Sequence, residues 1–118
     1  MSQKGMLILE SKGMIPGLRN RAQQSWSKLY KTNAYLLDIH YSCQVEKTEL
    51  SGQILTLEGM TFENAGHVSL INLENRIVAM TRLDRFGYFL LTPKSKGRHQ
   101  LMVEMRGSGI MVSDIVLD

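Results

Sequence analysis

The stretch Tyr35-Leu36-Leu37-Asp38-Ile39-His40-Tyr41-Ser42-Cys43 decides the class of fold. Tyr35, Leu37, Ile39, Tyr41 and Cys43 take every second position, and Leu36, Asp38, His40 and Ser42 fill the gaps. Successive side chains of an extended chain point to opposite faces, so this period of two marks a strand with one face buried. Six further runs follow. Residues 50–57 contain Gly52, and a glycine inside a strand signals a bulge or a close backbone approach. Residues 67–72 carry Val68 and Leu70 on one face, and the tight turn at Glu74-Asn75 leads into residues 76–82. Residues 88–91, 98–105 and 110–117 complete the set, with 58–66, 92–97 and 106–109 as loops and turns. Seven short strands with turn signals roughly every 8–12 residues, and no helix between them, predict a seven-stranded antiparallel β-sandwich.

Working outward to the N-terminus, the pattern changes. Pro16 can open a helix, and Leu18, Ala22, Trp26, Leu29 and Tyr30 recur at spacings of three and four. The spacing predicts a short amphipathic helix, or an extended arm, over residues 1–34 ahead of a sandwich domain over 35–118. Residues 1–31 hold Lys4, Lys12, Arg19, Arg21, Lys28 and Lys31 against Glu10 alone, a balance of +5. The other eight basic residues face ten acidic ones, a balance of −2. A basic arm on a mildly acidic body suits an acidic partner, or is a solvated terminus.

Length and composition set the frame. The 118 residues, 43% hydrophobic and 21% charged, fit one globular domain. No apolar run approaches the roughly 18–20 residues of a membrane span, so no membrane association is expected. The apolar run at Met6, Leu7, Ile8 and Leu9 is too short for a secretory signal. Cys43 is the only cysteine, which leaves no intrachain disulfide and fits a cytoplasmic location.

No catalytic, cofactor or metal residues are expected. Cys43 and His40 lie three apart on one strand and so on opposite faces. His40, His67 and His99 show no metal-ligand spacing. Asp84 with Glu74 or Asp114 lacks the oxygen-rich spacing of a calcium loop, and no phosphate-binding or nucleophile-elbow motif is present. Protein recognition is the better reading. The glycine-flanked, β-prone run Met6-Leu7-Ile8-Leu9 can add to a sheet edge, the eight methionines suit adaptable surfaces, and an open sandwich has edges to cover. The candidate partner-binding residues are Met6, Leu7, Ile8, Leu9, Arg19, Arg21, Trp26 and Tyr30, in a non-catalytic adaptor or regulatory subunit. The rival is a small basic nucleic-acid-binding protein, with Arg19, Arg21, Lys28 and Lys31 on phosphates and Trp26 and Tyr30 stacked on bases. A carbohydrate-binding sandwich would rest on Phe86 and Tyr88 alone.

Several segments resemble a known module: Gly52-Gln53-Ile54-Leu55, Val68-Ser69-Leu70, Thr81-Arg82-Leu83-Asp84-Arg85-Phe86-Gly87-Tyr88-Phe89 and Gly97-Arg98-His99-Gln100-Leu101. They are similar to the carboxypeptidase regulatory-like, or prealbumin-like, β-sandwich family over residues 35–118. The hexapeptide Asp84-Arg85-Phe86-Gly87-Tyr88-Phe89 is the most specific part. Its Asp can accept hydrogen bonds from amides two residues on, and its Gly tolerates positive φ, so Asp84 and Gly87 are expected to form a structural turn that aims Phe89 inward. His99 departs from the pattern, standing where the family has an aromatic residue. A second resemblance rests on Ser27-Lys28-Leu29-Tyr30-Lys31, Leu37-Asp38-Ile39 and Leu50-Ser51-Gly52-Gln53-Ile54. These are similar to small bacterial proteins encoded beside extracytoplasmic-function-type sigma factors and CHAT-family proteases, including those of CRISPR-associated systems. That resemblance implies a larger cytoplasmic partner, such as a sigma factor or its regulator.

Overall fold

A computed structural model describes residues 2–13, 24–44, 47–56, 66–105 and 107–117. The described chain is all β, with ten strands: β1 (Ser2–Lys4), β2 (Met6–Gly13), β3 (Gln24–Lys31), β4 (Tyr35–Cys43), β5 (Thr48–Thr56), β6 (His67–Asn72), β7 (Ile77–Arg82), β8 (Tyr88–Leu91), β9 (Gly97–Met105) and β10 (Ser108–Leu117). They form two five-stranded sheets, ordered β1-β10-β9-β6-β7 and β2-β3-β4-β5-β8. All pairings are antiparallel except β1 with β10. One core draws on both sheets: Leu37, Ile39, Tyr41, Leu50, Ile54 and Phe89 from the second meet Val68, Leu70, Leu101, Val103, Ile110, Val112, Ile115 and Leu117 from the first. The architecture is therefore sandwich-like. Among the described residues no helix is long and apolar enough to cross a membrane.

The alternation along β4 does what period two requires: Leu37, Ile39, Tyr41 and Cys43 are buried, while Leu36, Asp38, His40 and Ser42 are not. All seven strands expected after Tyr35 are present, but the total is ten because three more precede them. The expected helix is corrected by β3. Trp26 and Tyr30 are four apart, a spacing shared by one face of a helix and one face of a strand. The pairing decides between them, since β3 runs against β4 from Gln24 opposite Cys43 to Lys31 opposite Leu36. The remaining residues of the expected helix, including Leu18 and Ala22, lie outside the described residues. Nor is the N-terminal region a separate arm. It supplies a strand to one sheet and two to the other, and Trp26 and Tyr30 to the core.

Turn chemistry fixes the connections. Asp84 Oδ1 accepts hydrogen bonds from the Phe86 and Tyr88 amides, both at 2.9 Å. Gly87 takes φ of 82°, where an L side chain would be strained. Phe89 is thereby turned into the core, and its ring packs on the bare backbone of Gly52 opposite it. Asn72 Oδ1 caps the β6–β7 turn in the same way, accepting from the Glu74 and Arg76 amides at 3.0 Å.

The two flanks of the sandwich differ. On one, Gly5 carries the chain from the first sheet to the second, between Val112 and Tyr30. Trp26 Nε1 donates across the gap to the Val116 carbonyl at 3.2 Å. The Lys28 ammonium lies 4.8 Å above the Trp26 ring and donates to the Asp114 carbonyl at 3.3 Å. That carbonyl is presented at a bulge in β10, where Asp114 has φ of 59°. On the other flank the terminal strands β7 and β8 face each other across a groove.

Candidate interaction surfaces

β2 ends the second sheet and pairs only with β3, so its other edge is free among the described residues. Its four consecutive apolar residues are exposed, Met6 by 70% and Leu9 by 64%. A register shift between Leu7 and Leu9 interrupts the ladder. Without it, Met6 and Leu9, three apart, would face opposite ways. With it, both pair with residues that point outward: Met6 lies opposite Lys31 and Leu9 opposite Leu29, whereas Leu7 lies opposite the buried Tyr30. Bulges also discourage strand-to-strand growth at an edge. The edge therefore presents side chains more than a long, regular backbone ladder.

The outward side chains continue inward from that edge. Lys31 is opposite Leu36, and Leu36 is opposite Leu55. Met6, Leu9, Leu29, Leu36 and Leu55 thus make an apolar corner on the outer face of the second sheet, with Lys31 set between Met6 and Leu36. Leu36 was legible as part of this surface, because it falls on the same strand face as Asp38 and His40. Leu29 was hidden by the helical reading of its segment.

Beside the corner the face turns polar. Ser27 is opposite His40, whose other neighbour is Ser51. The Ser27 hydroxyl meets His40 Nδ1 at 2.7 Å, and His40 Nε2 meets Asp38 Oδ2 at 3.1 Å. The order of groups is that of a hydrolase triad, but His40 and Asp38 stand about half exposed on an open sheet. β3 and β4 are flanked on both sides, so their backbone N–H groups serve the ladders instead of a developing oxyanion. What remains is a hydrogen-bonding surface.

The other residues singled out by sequence fall into place separately. Trp26 and Tyr30 are buried in the core, 8% and 4% exposed. Burial, reinforced by Glu10 and Asp114, pushes the Tyr30 phenol up to about 12. Arg19 and Arg21 lie outside the described residues. Cys43 faces the interior while His40 faces solvent, so the two are not brought together. Burial pushes the Cys43 thiol up, but hydrogen bonds from Thr48, Tyr41 and Lys96 and the Lys96 charge outweigh it and leave it lowered. His67 is exposed, and His99 is buried with Nδ1 on the Gly97 carbonyl and Nε2 on the Ser95 hydroxyl, each at 2.9 Å. A ring that would otherwise need a hydrophobic aromatic's packing is thus satisfied by loop partners. Among the described residues no three His, Cys, Asp or Glu side chains converge as metal ligands.

No protein family, curated protein or solved structure matches the chain.

Proposed function

We propose that this chain is a non-catalytic adaptor or regulatory subunit that holds a larger protein against the apolar corner built on β2. The observation that carries this reading is the exposure of Met6, Leu7, Ile8 and Leu9 on an edge strand, with Met6 and Leu9 on the same sheet face as Leu29, Leu36 and Leu55. Contiguous exposed apolar surface of this kind is a usual mark of a protein-binding site. The sandwich is read as prealbumin-like on the strength of the Asp84–Gly87 turn and Phe89. The resemblance to small proteins encoded beside sigma factors and CHAT proteases, CRISPR-associated ones among them, suggests a sigma factor or its regulator as partner, in the cytoplasm.

The nucleic-acid alternative loses its aromatic half, because Trp26 and Tyr30 lie in the core and cannot stack on bases. Lys28 is also engaged with the Trp26 ring and the Asp114 carbonyl. The experiment is affinity capture from the native host with the wild type and with a Met6→Lys, Leu9→Lys double variant, read by mass spectrometry. The reading expects a protein held by the wild type and released by the variant while thermal melting is preserved. Equal capture by both would remove the corner from the interface. Added lysines would instead strengthen retention of nucleic acid.

A further inference from the structure

We propose that the groove between β7 and β8 is a second docking site, which takes an extended acidic peptide segment alongside β7. The groove holds about 720 Å3 and is lined by Val78, Ala79, Met80 and Thr81 on one side and by Leu90, Leu91, Thr92, Lys94 and Ser95 on the other. β7 and β8 are the last strands of their sheets, so each presents a free edge there among the described residues. Met80 and Leu90 are half exposed at the rim, at 58% and 50%, while Leu91 is buried at the base. An added strand finds backbone donors and acceptors along the six residues of β7, roughly 20 Å at about 3.3 Å per residue, and apolar contacts for alternate side chains.

Charge decides what kind of strand. Residues 76–98 contain Arg76, Arg82, Arg85, Lys94, Lys96 and Arg98 against Asp84 alone, a balance of +5. Asp84 spends Oδ1 on two turn amides. Arg98 is paired with Asp114, 3.6 Å away. Arg76 and Arg82 bracket β7 and Lys94 lines the groove, and none of the three has a carboxylate partner among the described residues. A basic rim around an apolar floor selects glutamate or aspartate at the outward positions of the segment and aliphatic side chains at the inward ones. The balance of residues 32–118 conceals this, because the same residues belong to a stretch whose total is −2. The site lies on the flank away from β2, so it goes beyond the proposed function by giving the adaptor a second, chemically distinct grip.

The test uses the full chain and a blocked peptide of alternating valine and glutamate, with an alternating valine–lysine peptide as the control. Fluorescence anisotropy should show saturable binding of the glutamate peptide that weakens steeply with salt, and none of the lysine peptide. An Arg82→Glu, Lys94→Glu variant that melts like the wild type should bind the glutamate peptide on the order of tenfold more weakly and gain affinity for the lysine peptide. Amide shifts on titration should centre on β7 and β8. Absence of saturable binding, equal binding of both peptides, or shifts centred on β2 would each overturn the proposal. The Met6→Lys, Leu9→Lys variant should bind the glutamate peptide normally, so failure at one surface is told apart from failure at the other.

Discussion

A methyl group on Gly5 would sit 2.5 Å from Val112 Cγ1 and 3.3 Å from Tyr30 Cβ. Replacing Gly5 with Ala should therefore cost about 1–3 kcal/mol through overpacking, measured as a shift in the urea midpoint. A variant as stable as the wild type would mean that the crossing is looser than described. At the β7–β8 turn, Asp84→Ala strips two exposed amides of their acceptor and should cost about 0.5–1.5 kcal/mol. Gly87→Val adds strain at positive φ and should melt below the wild type as well. Tyr30 ties residue chemistry to pH. Its phenol ionises near 10.0 in the unfolded chain and near 12 in the folded one. The folded state thus holds its proton longer, so the stability is fully present below pH 10 and is lost as pH rises toward 12. The loss is about 2–3 kcal/mol. Denaturant titrations across that range test it against Tyr30→Phe, which should flatten the slope.

At the scale of elements, β3 carries the lesson of what a sequence shows. Trp26 and Tyr30 satisfy the helical and the extended period equally, and only a partner strand separates the two. Ser27 and Lys31, between and after them, lie on the strand face turned away from the core. β4, by contrast, was legible because five alternating positions in a row leave no helical alternative. β2 was legible as a β-prone run able to join a sheet edge, but its exposure was not, since an apolar run of four looks the same whether it is buried or exposed. The groove could not be read at all. It arises where β7 and β8 end different sheets, and no local pattern records that topology. Trp26 should prove structural. Trp26→Ala removes a buried ring and leaves the Val116 carbonyl without its donor, which should cost about 3–5 kcal/mol. Trp26→Phe restores most of the volume without the N–H, and should recover much of that loss in thermal melting.

For the whole molecule, the contrast between flanks matters most. One side is closed by the Gly5 crossing, the Trp26–Val116 bond and the Lys28 strap, while the other keeps its groove. Deleting residues 1–13 would unroof Tyr30 and Val112 and leave β3 and β10 as new edges. The truncated chain should melt well below the full one, and less cooperatively, in calorimetry. An unchanged transition would return β1 and β2 to the status of an appendage.

The parallel pairing of β1 with β10 sets Ser2 opposite Gly109, so nearly the whole described chain lies between the two partners. Loops that long close late and slowly, because entropy is lost before any contact rewards it. A growing polypeptide on the ribosome would hold its first strand unmatched until the tenth has emerged. For that interval the backbone N–H and C=O groups of Ser2, Gln3 and Lys4 have only water to bond.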